Sequence, residues 1–199
     1  MGADIMSSQR NRILYTRLII LDKTFKIIDC LTGYCTGGNY SLTNNSDVRR
    51  TCNIKMVLKD KFLPSENSPF WVNKRFKLEI GVKEDEQDIV WYGLGVYAIL
   101  KVEVNNSASE SNLNISGGDL VCEINGDIGG QLAINYKIEL PETDEERENI
   151  GSLIKGLVVD VLGYNDYMIE QSEYVLPSEI EKDPGETYWD VISELVKLY

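Results

Sequence analysis

Hydrophobic and polar positions alternate along most of the first 140 residues, and a helical repeat takes over after that. The segment ILYTRLIIL, residues 13 to 21, is rich in β-branched and aromatic side chains and predicts a strand. FKIID follows the Asp22-Lys23-Thr24 turn, so the two together predict a hairpin. LTGYCTGGNYSLTNNSD carries glycines at 33, 37 and 38 and predicts a loop, with a short strand at residues 40 to 43. TCNIKMVLK puts Cys52, Ile54, Met56 and Leu58 on one face and Asn53, Lys55, Val57 and Lys59 on the other. That period of two is the mark of a half-buried strand. KRFKLEIGV repeats it with Phe76, Leu78, Ile80 and Val82 inside. VWYGLGVYAILKVEV is long enough for a bent strand or a hairpin, with Gly93 and Gly95 at the bend or bulge. SNLNISGGDLV adds a strand around Leu113 to Ser116. Short links between six or seven strands predict mostly antiparallel pairing.

The period then lengthens. TDEERENIGSLIKGLVVDVLG predicts a helix over about 144 to 162, with Thr143 as N-cap and Glu146 as the reciprocal member of a capping box. Its stripe is Ile150, Leu153, Ile154, Leu157, Val158, Val161 and Leu162, and Gly163 ends it. TYWDVISELVKLY predicts a second helix capped by Thr187, with Val191, Ile192, Leu195, Val196 and Tyr199 on the buried side. No C-cap follows Tyr199, so this end is expected to pack on protein further along or on a partner. The connection between the helices is polar, with a short strand at residues 167 to 169. The expected organisation is an arm over 1–12, a β-barrel domain over 13–140 and a helix-containing region over 141–199, the start of a second domain.

Composition narrows the chemistry. In 199 residues there is no histidine, which removes the usual general base and metal ligand and every Ser-His or Cys-His pair. The net charge of -12 opposes unspecific binding to nucleic acid or anionic lipid. No stretch reaches the length of a membrane span, and MGADIMSSQRNR lacks the apolar run of a signal peptide. Among the four cysteines, Cys52 and Cys122 lie in apolar patterns and are expected as small buried hydrophobes; Cys30 and Cys35 are the one pair considered for a disulfide.

Neither glycine-rich segment has the context of a nucleotide site. CLTGYCTGGNY lacks the lysine-serine pair of a P-loop, and NGDIGGQL lacks the strand-glycine-helix order. Both are expected to be tight turns or close backbone approaches. The carboxylates of 144–148 and 179–183 are expected on the surface, and Asp85, Glu86 and Asp88 lack calcium-loop spacing. Trp71, Trp91 and Trp189 are expected in packing. No catalytic, cofactor or metal residue is assigned.

The residues singled out are Asp47, Arg49 and Arg50, two adjacent arginines where a polar turn enters a strand. In a strand their side chains leave on opposite faces, which argues against a shared anion. Asp47 is expected to fix the turn. Arg50, in phase with Cys52, Ile54 and Met56, is expected to be partly buried and paired, and Arg49 to reach a neighbour. Leu195, Val196 and Tyr199 complete the expected interface residues.

The run Tyr40-Ser41-Leu42-Thr43 followed by Asn45-Ser46-Asp47-Val48-Arg49-Arg50-Thr51-Cys52 resembles a signature of baseplate hub proteins. These occur in tailed bacteriophages and in phage-tail-like particles of Gram-positive bacteria. In order along the chain, 71–78, 91–97, 115–120, 125–130 and 184–192 are similar to later portions of the same family, so the resemblance spans about residues 13 to 199. Members usually continue beyond the helix that ends here at Tyr199. The resemblance implies a structural role: a tail-tube-like barrel in a trimer that joins the tube to the spike or tip. Partners would be tube, spike and other baseplate proteins, in a virion tail or extracellular tail-like particle assembled in the host cytoplasm. An acidic lumen would let DNA pass without sticking. Two alternatives stand beside it: a carbohydrate- or receptor-binding module of the tail tip, and a carboxylate-based cell-wall hydrolase.

Overall fold

The computed structural model describes residues 12–63, 65–71, 74–84, 88–107, 110–143, 147–165, 168–169 and 173–198. Seven strands form one antiparallel sheet: β1 (Arg12–Leu21), β2 (Ile27–Thr32), β3 (Cys35–Leu42), β4 (Arg50–Val57), β5 (Arg75–Glu84), β6 (Val90–Asn106) and β7 (Ser111–Gly118). Their spatial order is β2-β1-β5-β6-β7-β4-β3. The two edge strands, β2 and β3, are consecutive in sequence and joined by Gly33 and Tyr34 alone. Flat, seven strands would hold their edges about 29 Å apart, whereas a two-residue link reaches about 11 Å. The sheet therefore curls until its edges meet at one corner. It does so without closing the ladder: β2 and β3 do not pair with each other. The expected barrel is thus an open, strongly coiled sheet.

Strand β6 makes a second corner. Its first half pairs with β5 from Val82↔Val90 to Arg75↔Ala98. Its second half pairs with β7 from Ala98↔Gly118 to Asn106↔Ser111. The register shifts fall near this change of partner, between Leu78 and Glu79 on β5 and between Ile99 and Lys101 on β6. Bulges bend a strand and sharpen its twist, which lets one long strand turn the corner of a coiled sheet. The sequence leaves open a bent strand or a hairpin here; the structure has the bent strand.

The alternation read from the sequence faces the core as expected over most of its length, while Leu58, Ile80 and Val82 are only half-buried. Cys52, Ile54 and Met56 of β4, Phe76 and Leu78 of β5, and Leu113 and Ile115 of β7 are buried in one cluster with Leu18, Ile20, Leu31 and Tyr97. Tyr97 and Phe76 stack at 5.4 Å. Phe62 and Phe70, from the segment after β4, join this cluster and meet edge to face at 5.4 Å. Burial of such large side chains stabilises by roughly 1.5–3 kcal/mol each.

Strand β3 was not legible at its full length. It covers eight residues rather than residues 40 to 43, and seven of them are exposed. Without alternation or burial, it is held by its ladder with β4, from Cys35↔Met56 to Leu42↔Arg50.

A second core cluster gathers Ile150, Leu157 and Leu162 of α1 (Ile150–Leu162) with Val191, Ile192 and Leu195 of α2 (Tyr188–Leu198). A two-stranded sheet, β8 (Tyr136–Ile138) with β9 (Ile180–Lys182), contributes Ile180. Ile124 and Leu132 belong to this cluster too, so it draws on chain well before residue 140. Helix α1 starts later than the expected 144. Its N-cap is Asn149, whose side chain accepts from Gly151 N–H at 2.8 Å, in place of Thr143; Glu146 lies outside the described residues. Gly163 ends it in the left-handed conformation, with φ 66°. The expected strand at 167–169 is absent at Met168 and Ile169, and residue 167 lies outside the described residues.

Candidate interface at the strand entrance

The loop between β3 and β4 is closed by Thr43 N–H donating to Arg49 O at 2.9 Å, with Asn45 N–H on Thr43 Oγ1 at 3.3 Å. Asp47 is exposed and makes neither bond. The carboxylate that fixes the strand entrance is Asp119, just after β7. Its Oδ2 accepts from Arg49 N–H at 2.9 Å and Arg50 N–H at 3.0 Å. Its Oδ1 accepts from Val121 N–H at 3.1 Å, capping a short 3-10 turn at Leu120–Glu123. Asp119 N–H in turn donates to Arg50 O at 2.9 Å. One carboxylate thus ties the end of one strand to the start of another and to the first turn of the second unit. Asp followed by a short helical turn is an N-cap signal, so the sequence carried a trace of it.

Both arginines are exposed, and neither guanidinium pairs with a carboxylate among the described residues. For Arg50 this departs from the partly buried, paired side chain that alternation predicts. It lies on the expected face but at the mouth of the sheet, where nothing covers it. Its side chain crosses Gly95: a Cβ there would meet its Nη1 at 3.1 Å. Gly95, with φ 134°, leaves room for that arm. Arg49 lines a cleft of about 490 Å³ between the Asn44–Asp47 turn and Trp189 at the start of α2.

The buried arginine is Arg75, at the entrance to β5, which pattern alone places on the outer face. Its Nε donates to Glu123 Oε1 at 2.7 Å and its Nη2 to Glu123 Oε2, a bidentate pair. Nη1 donates to Lys23 O at 2.9 Å and Nη2 to Leu162 O at 3.3 Å. The guanidinium lies 4.2 Å from the Phe25 ring centre. Phe25 itself holds a positive φ of 63° and packs on Tyr164 at 4.9 Å. Arg75 therefore joins the β1–β2 turn, the turn after β7 and the last carbonyl of α1. It has the buried, paired guanidinium expected of Arg50, and it spans the two units as well.

A second outer-face cluster surrounds Glu79. Arg17 Nε donates to it at 2.7 Å and Lys77 lies at 2.9 Å, while Arg17 sits 4.0 Å over Trp91. Burial acts to raise the Glu79 carboxyl; the bonds from Lys77 and Arg17 outweigh it and hold the group below the ordinary glutamate value.

At the other end of the chain, Leu195 is fully buried in the helical core and Val196 is exposed at 55%. Tyr199 lies outside the described residues. Thr187 and Asp190 cap α2 reciprocally: Asp190 Oδ2 accepts from Thr187 N–H at 2.8 Å, and Thr187 Oγ1 accepts from Asp190 N–H at 3.2 Å.

The cysteines are free, with Cys52 and Cys122 buried and each thiol pushed up to about 12 by burial. Gly126 and Gly130 of NGDIGGQL take positive φ, and a Cβ at Gly130 would sit 2.2 Å from Ile124 Cα. Among the described residues no group of three or more Cys, Asp or Glu side chains is placed to hold a metal ion. No described helix is long and apolar enough to cross a membrane.

Against solved structures, this arrangement of coiled sheet and small helical unit is a shared fold. It matches a chain of a lidless PdpA-VgrG complex with a TM-score of 0.55 at 9% identity, over 94% of this chain and 32% of that one. A chain of the half-lidded Francisella PdpA-VgrG complex matches with a TM-score of 0.55 at 8% identity, over 94% and 28%. The 43 kDa tail protein of prophage MuSo2 from Shewanella oneidensis matches with a TM-score of 0.51 at 13% identity, over 93% and 48%. The chain thus spans half or less of each of these solved chains. No protein-family model matches the sequence, and no curated protein sequence does. At such identities the likeness is one of fold.

Proposed function

We propose that this chain is a structural component of a phage tail or tail-like particle, the hub that joins the tail tube to the central spike or tip. The observation that carries the reading is the extent of the fold likeness, 93–94% of this chain in both kinds of relative, one of them described as a prophage tail protein. It includes the coiled sheet and the helical unit together rather than a common sheet alone. The motifs that run in order along the sequence point the same way.

The geometry supports a structural role. Its strongest ion pairs hold pieces of the chain together: Arg75–Glu123 across the two units and Arg17–Glu79–Lys77 across the sheet. In this reading the open, coiled sheet is completed to a tube-like barrel in the particle by neighbours along its unpaired strand edges. A trimer matches the symmetry step between a hexameric tube and a spike. Partners are the tube, spike and baseplate proteins, and the place of action is the tail.

Mass spectrometry of tails purified from producing cells tests this. The chain is expected in the purified tails at a few copies per tail. Its absence from them, with the other tail proteins present, contradicts the reading. Binding of the free chain to purified cell walls would move it to a tip-binding module; wall cleavage lost on one carboxylate-to-amide change would move it to a hydrolase.

A further inference from the structure

The curled sheet leaves two ends, and they are finished differently. One is filled from within by Phe62 and Phe70, with Tyr34 edge-on to Phe62 at 5.3 Å. At the other end, inward-facing residues stand in the open: Leu14 is 69% exposed, Tyr92 57%, Val90 53% and Tyr40 52%. Their register shows that they face inward. Leu14 and Val90 both pair with Val82, Tyr92 pairs with Ile80, and Tyr40 pairs with buried Cys52. Between Thr16 of β1 and the Cys35–Tyr40 stretch of β3, a cleft of about 310 Å³ opens onto Ile54, Leu78, Ile80 and Leu94.

Both borders of this cleft are unpaired strand edges. The β1–β2 ladder covers only Arg17 to Leu21 of β1, so Arg12–Thr16 has a partner on one side alone. β3 ends the sheet. Proteins blunt such edges with charge, proline or cover. CTGGNYSL has no charge and no proline, and no residue lining the cleft is charged. In a chain of net charge -12, that absence selects the occupant. Copies of an acidic chain repel, and they meet at least cost where no carboxylates face each other. A basic partner would instead be met by acidic groups on this rim.

We propose that the open end of the sheet is covered by a second copy of this chain, which adds a strand beyond the β3 edge and seats apolar side chains over Leu14, Tyr40 and Tyr92. Backbone pairing supplies the adhesion and the apolar end supplies the fit. This rests on the self-association in the proposed function and names its surface. Tyr40 and Leu42 are exposed and alternate with the positions that bond to β4, so replacing them leaves the monomer core and its ladder intact.

Sedimentation of the purified chain at rising concentration, with hydrogen exchange read at the β3 amides, tests it. The wild type is expected to pass from monomer to oligomer, with exchange at Thr36–Leu42 slowing at least tenfold as it does. Tyr40→Lys and Leu42→Pro, the latter at a position whose N–H points away from β4, are each expected to raise the dissociation constant at least tenfold while retaining the monomer's circular dichroism. Met168→Lys, at an exposed apolar position outside both cores, is expected to leave it unchanged. A wild type that stays monomeric up to millimolar concentration overturns the proposal. So does an oligomer that forms as tightly in both β3 variants, or one in which the β3 amides still exchange freely. If the chain is found in tails but its β3 amides exchange freely there, this inference fails and the tail reading stands; if it associates through β3 but is absent from tails, the reverse holds.

Discussion

Arg75 and Glu123 form a bidentate ion pair across the boundary between the coiled sheet and the helical unit, and Arg75 is 5% exposed. The same guanidinium reaches Lys23 O and Leu162 O, so its donors are spent on three separate segments. Removing it leaves the Glu123 carboxylate and Leu162 O without these bonds together. Arg75→Ala is expected to cost about 3–5 kcal/mol in urea unfolding, the range for breaking a buried pair from one side. Arg75→Lys is expected to recover only part of that, because an ammonium cannot make the two parallel bonds.

The exposed arginines should behave in the opposite way. Arg49→Ala and Arg50→Ala are each expected to change stability by less than about 0.5 kcal/mol, as for surface side chains without a partner. Asp119→Ala should cost more than either, about 1–2 kcal/mol, since it removes an N-cap and two further backbone bonds at once. Comparing the three variants in one denaturant series checks this ordering.

Glu79 gives a pH dependence. Its carboxyl is held below the ordinary value in the folded chain, so the unfolded chain takes up its proton at higher pH than the folded one. The stabilisation it brings is therefore fully present above the unfolded glutamate range and drains away as pH falls through the folded value. Unfolding measured from pH 7 downward should show this loss in the acid range. Glu79→Gln should be less stable at pH 7 and show a shallower acid slope.

Gly130 tests backbone geometry. It holds φ 85°, and a Cβ there would lie 2.2 Å from Ile124 Cα, a main-chain atom that cannot swing aside. Gly130→Ala is expected to cost more than about 2 kcal/mol, combining left-handed strain with overpacking. Gly156→Ala, in α1 with open space at its Cβ, is expected to stabilise by a few tenths to about 1 kcal/mol. Thermal unfolding of the two variants should move in opposite directions.

The parts of the fold that bury one face were legible in the sequence. β4 and β5 alternate because each has one side in the core, and Cys52, Ile54, Met56, Phe76 and Leu78 are all buried. The α1 stripe and Gly163 follow from the same logic. β3 was hidden because an edge strand exposed on both faces has no period to read, and two glycines disguised it as a loop. The capping spacing of Thr143 and Glu146 predicts an earlier start for α1 than the one found, where Asn149 has the capping geometry. Arg75 was missed because alternation assigns a face and cannot say what lies against it. Its partners are separated from it by 48, 52 and 87 residues, distances over which no local pattern speaks. Arg50 was misjudged for the complementary reason. Its face was right, but that face ends at the mouth of the sheet.

Electron cryomicroscopy of the purified intact tail is the decisive measurement for the proposed place of this chain in a tail. A symmetric ring of this fold is expected between the last tube ring and the spike or tip, with the Arg75–Glu123 pair inside each copy. A tail whose density from tube to tip is fully occupied by other proteins would contradict it.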